Sequence, residues 1–239
     1  EFRRVLFRSN VPIVEDCAHS LGSIYKKKFC GDLGIMGCFS FYPTKVITTA
    51  EGGMVTTNDE EIYKKIKLLR SQAMSLQAND REKQAEWKYD IIDLGYNYRL
   101  DEIRSALGIS QLKRINKITE KRKKIESYYN NHLKKIRGII IPQIKDDRNH
   151  VYHTYTIRVG EDYPLSRDEL FKKLSQKGIG TSVQYYPLHL MSYYKNKFKI
   201  KKDQFPISNR LKDEVLCLPI FPTMSQKQVD YVIDQIAFK

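Results

Sequence analysis

Four side chains with useful chemistry lie close together near the start of the chain. Asp16 ends a predicted strand and His19 follows it, while Ser40 ends a second predicted strand and Lys45 comes shortly after. Ligands of α/β folds bind at the carboxyl ends of strands. A carboxylate, an imidazole, a hydroxyl and a primary amine at such ends could together hold and polarise a small molecule.

Lys45 stands apart from most other lysines of the chain. It lies in the apolar, hydroxyl-rich stretch FYPTKVITTAEGG, whereas the others mostly form runs on predicted helix faces. Its amine could form a Schiff base with an aldehyde, Asp16 could keep a pyridine nitrogen protonated, and hydroxyls could hold a phosphate. These are the needs of pyridoxal phosphate (PLP). Spacing alone leaves plainer roles open: a turn-forming aspartate, a surface lysine and a serine bonded to backbone.

Strands and helices alternate along the chain, which predicts the α/β or α+β class with at least two subdomains. In the first half, strands are predicted over 11–16, 37–41 and 54–57. A helix opens at Asn58 with acid in its first turn, and Asp101 opens one long helix that runs to Leu133. In the second half, strands are predicted over 138–142, 152–159 and 179–185. Ser166 and Glu169 form a capping box for a helix that ends near Gly178, and further helices are predicted over 208–217 and 225–238.

The long helix is expected to join two domains. We predict a partial ligand-binding domain over residues 11–125 and a smaller C-terminal domain over 126–239. Residues 1–10 are predicted to be a foreign segment, because Glu1–Ser9 have no strand or helix pattern and RVLFRS can be encoded by the end of a common sequencing adapter.

Three consecutive motifs resemble signature blocks of the DegT/DnrJ/StrS family of PLP-dependent sugar aminotransferases. They are VEDCAHSLGS, GCFSFYPTKVITTAEGGMVTTND and DLGYNYRLDEIRSALGISQLKR. GIGTSVQYYPLHL and CLPIFPTMSQKQVDYVI resemble the family's C-terminal blocks, so the likeness runs from Val11 to Ile236. It implies the aspartate-aminotransferase-like PLP-transferase fold of type I, as an incomplete large domain plus a smaller α+β domain.

The resemblance also implies a role for each candidate. Lys45 forms the Schiff base with PLP, and Asp16 pairs with the pyridine nitrogen; both are catalytic. His19 lies by the cofactor ring or its phenolic oxygen, and Ser40 binds the cofactor phosphate. Asn97 reaches the phosphate of the neighbouring subunit's cofactor, which implies a homodimer with shared active sites.

The family further implies the reaction. An amino group, given by glutamate, passes to a keto sugar linked to a nucleotide, in polysaccharide or related sugar biosynthesis. Tyr185, Tyr186 and His189 are expected near the sugar-nucleotide site. Members often carry His at the position of Tyr42 and Ala at that of Cys17, and neither departure removes a catalytic group. Complete members also carry an upstream segment with an aromatic ring and a phosphate-binding turn, so the natural protein is expected to be longer.

Other functions would also fit parts of the sequence. A sister branch of the family, the PLP-dependent sugar dehydratases, lacks the Schiff-base lysine, and Lys45 argues against it. The net charge of +14 would suit a non-catalytic nucleic-acid-binding protein. The lysines fall mostly on helix faces and no basic-aromatic module is visible, so no nucleic-acid partner is predicted. A degenerate family member with a binding or regulatory role is the remaining alternative.

Cysteines and hydropathy bear on location. Cys17, Cys30, Cys38 and Cys217 form no CxxC pair, so reduced thiols in a cytoplasmic protein without a bound metal are predicted. No apolar run approaches the length needed to span a bilayer, so no membrane association is predicted.

Overall fold

The computed structural model describes residues 9, 11–76, 83, 85, 87–201 and 203–238. The chain divides into two compact units, Glu1–Ile115 with Asp147–His150 and Asn116–Asp146 with Val151–Lys239. The boundary predicted from the sequence, after residue 125, falls ten residues further along. Apart from Ser9, the predicted foreign segment lies outside the described residues.

The elements are numbered along the chain. The strands are β1 Val14–Asp16, β2 Ile24–Tyr25, β3 Lys28–Phe29, β4 Met36–Ser40, β5 Gly53–Thr56, β6 Ile139–Ile140, β7 Arg148–Asn149, β8 Tyr155–Val159 and β9 Val215–Leu218. The helices are α1 Glu60–Arg70, α2 Glu102–Leu112, α3 Ile115–Leu133, α4 Arg167–Gln176, α5 Ser192–Phe198, α6 Pro206–Glu214 and α7 Gln226–Ala237, with a 3-10 helix at Leu188–Leu190. Within the described ranges, no helix combines the length and the apolar character needed to cross a bilayer.

The first unit is built on a sheet of strand order β1-β4-β5. β1 and β4 are parallel, and β4 and β5 are antiparallel. All three strands were predicted, with ends that differ by up to three residues. A second sheet, of order β3-β2-β7, was not predicted. Its strands have two residues each, which is too short to show an alternating pattern.

Two acidic N-caps start the helices of this unit. The Asp59 carboxylate accepts hydrogen bonds from the amides of Glu61 and Ile62, and Asp101 accepts from the amide of Arg104 at 2.8 Å. Such caps satisfy amides that have no partner inside the helix. The cap at Asp101 agrees with the sequence prediction, and the cap at Asp59 lies one residue after the predicted Asn58.

The prediction of one long helix from Asp101 to Leu133 is wrong. The helix is interrupted between α2 and α3, where the amide of Arg114 bonds the oxygen of Gln111 at 2.9 Å. In a continuous helix, the amide of Arg114 would bond the oxygen of Ser110. Here the Arg114 side chain donates to that oxygen instead, at 3.2 Å. The apolar spacing continues across this turn, so periodicity could not reveal it.

The second unit contains an antiparallel sheet of order β6-β8-β9. Its core includes fully buried side chains from the sheet and from α3, α4 and α7, among them Tyr129, Tyr155, Ile157, Leu170, Leu216 and Ile236. The capping box of Ser166 and Glu169 is present, as predicted, and Ser225 forms a second one with Gln228.

Two predictions for this unit are wrong. Residues 215–217, predicted as the end of a helix, belong to β9, because pairing with β8 buries Leu216 and its neighbours in the core. Residues 179–185, predicted as a strand, meet β9 only through a single bridge between Ser182 and Cys217. Only Ile179 of this segment is buried, so little packing on the core favours strand pairing beyond this bridge.

Candidate active site

Asp16 and Ser40 lie at the same edge of the first sheet. In the parallel pair β1 and β4, Asp16 is aligned with Cys38, and Ser40 is two residues further along β4. The amide of Cys17 bonds the Cys38 oxygen at 2.8 Å and extends the pairing past Asp16. The structure therefore brings both predicted residues to the carboxyl ends of neighbouring parallel strands, where α/β folds bind their ligands.

Asp16 also starts the turn that carries His19. Its Oδ1 accepts a hydrogen bond from the amide of Ala18 at 3.0 Å, which is the turn-forming role open to a strand-end aspartate. Its Oδ2 accepts no bond from the described part of the chain, so one carboxylate oxygen stays available to a ligand. The plain role and the predicted catalytic role are thus compatible.

His19 lies within electrostatic reach of both Lys45 and Asp16. Burial lowers the pKa of His19 below its ordinary value, the positive charge of Lys45 lowers it further, and the negative charge of Asp16 opposes both effects. His19 is therefore neutral at pH 7. Asp16, His19 and Lys45 are called the Lys45 cluster below, because both charged groups act on the His19 ring.

A tight turn presents Lys45. The amide of Lys45 bonds the Tyr42 oxygen at 3.0 Å, with Pro43 at the second position of the turn, which Pro favours. Val46 and Ile47 follow as buried anchors. The Lys45 side chain is half-buried, and it forms no ion pair within the residues that the structure describes. An amine without a carboxylate partner suits a nucleophile.

Gln111 of α2 holds the other side of this loop, a contact that the sequence did not predict. Its Oε1 accepts from the amide of Thr48 at 3.2 Å, and its Nε2 donates to the Thr48 oxygen at 3.1 Å. The Thr48 hydroxyl and the Thr49 amide both bond the Phe41 oxygen, at 2.9 Å each. The Lys45 loop is therefore closed at its base and fastened to a helix.

The donor set fits PLP. Lys45 offers an amine and Asp16 a free carboxylate oxygen. The Ser40 Oγ accepts a long bond of 3.4 Å from the Tyr42 amide, which leaves its hydroxyl hydrogen available to a phosphate oxygen. Across the described residues, no group of three His, Cys, Asp or Glu side chains could hold a metal ion.

Asn97 is presented on the surface by the C-terminal end of α1. It forms a bridge with Ser71, and the amides of Tyr96 and Tyr98 bond the oxygens of Leu69 and Arg70 at 2.7 and 2.9 Å. No hydrogen bond or ion pair joins Asn97 to the Lys45 cluster in the described chain. Its assignment to the cofactor of a neighbouring subunit stays a prediction.

The three residues predicted near the sugar differ in their surroundings. Tyr185 and Tyr186 are 66% and 53% exposed, whereas His189 is buried. The His189 Nε2 lies 2.8 Å from Asn209 Oδ1, and its ring packs on Phe205 with centroids 4.8 Å apart. These contacts fix the 3-10 helix to α6. A contact of any of the three with the sugar stays a prediction.

Comparison with known proteins gives the wider context. A model of the DegT/DnrJ/EryC1/StrS aminotransferase family matches residues 1–237. The uncharacterized protein MJ1066 of Methanocaldococcus jannaschii is 39% identical over 94% of this chain and 58% of its own length. The UDP-4-amino-4,6-dideoxy-N-acetyl-beta-L-altrosamine transaminase of Campylobacter jejuni strain 81-176 is 37% identical over 99% of this chain and 60% of its own length. The chain thus spans 58–60% of the length of these relatives.

Solved structures share the fold. Helicobacter pylori PseC, an aminotransferase involved in the biosynthesis of pseudoaminic acid, is 28% identical with a TM-score of 0.87, over 98% of this chain and 60% of its own. The predicted PLP-transferase fold of type I is confirmed, and the chain covers about three fifths of it.

Proposed function

Because the chain belongs to the DegT/DnrJ/EryC1/StrS aminotransferase family, we propose that the protein transfers an amino group to a keto sugar linked to a nucleotide, with PLP held at Lys45. The observation that carries the proposal is that Asp16 and Ser40 share one sheet edge, with His19 and Lys45 on the loops that follow their strands. The Campylobacter jejuni relative, a transaminase of a UDP-linked sugar by its name, supports the substrate class. Glutamate is the proposed donor.

Three residues of the chain bind and orient the cofactor in this proposal. When bound, PLP supplies an electron-accepting ring. The free oxygen of Asp16 would accept a hydrogen bond from the pyridine nitrogen and so keep that nitrogen protonated. The Ser40 hydroxyl donates to the phosphate. Neutral His19 would contact the cofactor without adding a second positive charge near Lys45.

Lys45 carries the proton transfer. Its Nζ would take a proton from the donor carbon as a general base and then donate a proton as a general acid. Such a positioned group contributes about 10²- to 10⁴-fold to the rate. The closed loop around Phe41, Thr48 and Gln111 keeps the amine in place for both steps.

A second copy of the chain completes each site in this proposal. Asn97 is held rigidly at the surface, and Leu94 and Tyr98 beside it are 77% and 71% exposed. Apolar side chains around a fixed polar group suit a subunit interface.

The net charge of +14 would draw in a doubly phosphorylated sugar nucleotide.

The test is an assay of the full-length protein with PLP, glutamate and a panel of UDP- and GDP-linked keto sugars, followed by mass spectrometry. We expect an amino sugar to form only when all components are present, and Lys45→Ala to abolish it. Lys64→Ala is the matched control, because Lys64 pairs with Glu61 on the surface of α1. Full turnover by Lys45→Ala would rule the proposal out.

A further inference from the structure

We infer that Glu15 is a positioning residue that fixes β1 and thereby sets where the Asp16 carboxylate lies. The inference rests on the proposed function for the role of Asp16 toward the cofactor. Its structural part, the placement of Asp16, stands on contacts within the chain alone.

Three backbone amides converge on the Glu15 carboxylate. Oε1 accepts from the amides of Leu33 and Gly34 at 2.6 and 2.7 Å, and Oε2 accepts from the amide of Gly31 at 2.9 Å. Bonds of this kind to an ionised acceptor are about twice as strong as neutral ones. The side chain is partly buried, so water screens them incompletely. Glu15 is thus committed to a structural contact and is not available to a ligand.

The contacts of Glu15 lie where they control Asp16. Successive side chains of a strand point to opposite faces, so Glu15 and Asp16 leave β1 on opposite sides. Residues 31–34 lead directly into β4, the strand that pairs with β1. The carboxylate therefore ties β1 to the start of its neighbour from the face opposite to Asp16.

The fit between these segments is tight. The amide of Ile35 bonds the Ile13 oxygen at 2.9 Å. A Cβ added to Gly34 would lie 2.2 Å from the same oxygen, so a larger residue cannot occupy this position without moving the backbone. Loss of the Glu15 bonds would leave three partly buried amides without acceptors, and this packed segment would have to shift.

Asp16 has few other restraints. β1 has only three residues, and within the described residues it pairs on one side alone. The Asp16 side chain is exposed, and among the described residues it is bonded only by the amide of Ala18. A displacement of about 1 Å in a catalytic group can cost about 10²-fold in rate, so a clamp on the adjacent residue matters for function.

His19 reports the position of Asp16 without any cofactor. The test is NMR titration of His19 in the cofactor-free full-length protein, comparing the wild type with Glu15→Gln, Asp16→Asn and the double variant. Glu15→Gln replaces one acceptor oxygen by a donor that faces an N–H group. We expect it to lower the pKa of His19, because Asp16 moves away, and to have no further effect when Asp16 is already Asn.

Two variants complete the set. Glu61→Gln makes the same change at a site whose side chain is 84% exposed. It should leave the pKa of His19 at its wild-type value. Glu15→Asp keeps the charge but shortens the side chain, so the variant should fold. Like Glu15→Gln, it should lower the pKa of His19. An unchanged His19 pKa in both Glu15 variants would overturn the inference. It would also be overturned if Glu15→Gln shifted the His19 pKa equally with and without Asp16→Asn.

A second arm uses PLP labelled with ¹⁵N at the pyridine nitrogen. We expect Glu15→Gln to reduce the protonated fraction of this nitrogen and to lower kcat about tenfold or more, with a smaller change in KM. If the wild-type protein binds no PLP, the proposed function fails. The His19 titration would still decide whether Glu15 places Asp16.

Discussion

The side-chain amide of Gln111 pairs with both backbone polar groups of Thr48, donating to its oxygen at 3.1 Å and accepting from its amide at 3.2 Å. This contact joins α2 to the loop that presents Lys45. The position of the proposed Schiff-base amine therefore depends on a helix that follows it by more than fifty residues in the sequence.

Gln111→Ala is expected to loosen this loop. It removes two hydrogen bonds and should lower the free energy of unfolding by about 1–2 kcal/mol. In the full-length protein it should slow the capture of PLP by Lys45, measured by the growth of the cofactor's visible absorbance. Gln176→Ala, at an exposed position of α4, is the control. Equal capture rates in the two variants would show that Gln111 does not support Lys45.

Two substitutions near His19 are expected to shift its pKa in opposite directions. Lys45 lowers the pKa of His19 and Asp16 raises it. Lys45→Ala should therefore raise the His19 pKa, and Asp16→Asn should lower it, in an NMR titration of the cofactor-free protein. If neither substitution moves the midpoint, the three side chains do not form the cluster described above.

The same shift predicts how stability depends on pH. Because the pKa of His19 is lower in the folded state than its ordinary value of 6.5, the unfolded chain takes up a proton first as the pH falls. The contribution of neutral His19 to the free energy of unfolding is complete above about pH 6.5 and is lost below it. In the wild type, the free energy of unfolding measured in denaturant should fall as the pH drops from 8 to 5. His19→Asn should remove the part of this fall that comes from His19.

Gly95 is expected to admit no side chain. A Cβ there would lie 2.2 Å from the amide nitrogen of Ala73 and 2.3 Å from the carbonyl carbon of Gln72. Since backbone atoms cannot rotate away, Gly95→Ala should displace the segment that carries Asn97 and cost about 1–3 kcal/mol or more.

Gly180→Ala provides the control for this substitution. A Cβ at Gly180 meets nothing within 4 Å, so the variant should unfold at the wild-type denaturant concentration. A Gly95→Ala protein with the same midpoint as Gly180→Ala would contradict the packing described for the Asn97 segment.

Arg122 of α3 is expected to stabilise the second unit. Its buried guanidinium donates to the oxygens of Tyr152, His153 and Ile220 at 3.0, 3.3 and 2.8 Å. Arg122→Leu removes these three buried hydrogen bonds and should cost about 3 kcal/mol in denaturant unfolding. Arg137→Leu breaks an ion pair whose arginine is 83% exposed, and should cost less than about 1 kcal/mol. Similar losses in both variants would refute the prediction.

The sequence was most informative where local chemistry and topology agree. The strand-end rule placed Asp16 and Ser40 at one edge, and both do lie there because β1 and β4 are parallel neighbours. Lys45 stood out because its stretch is apolar. The roles of its neighbours came from the family resemblance, since spacing alone also allowed a turn-forming aspartate, and Asp16 does cap a turn.

Long-range contacts were beyond the reach of the sequence. Two adjacent carboxylates end the first strand, and only the fold shows that Glu15 is bound by the amides of a later loop. The alternation of strand faces could have placed the two on opposite sides. The bond of Gln111 to Thr48, and the pairing of β2 with β7, join distant segments that carry no local pattern.

The most direct test of the account is to locate the amine that binds PLP. The full-length protein would be incubated with PLP, reduced with borohydride, digested and mapped by mass spectrometry. We predict a single pyridoxyl group on Lys45 and none in Lys45→Ala. Modification at another lysine with Lys45 unlabelled, or no stable label at all, would contradict the account.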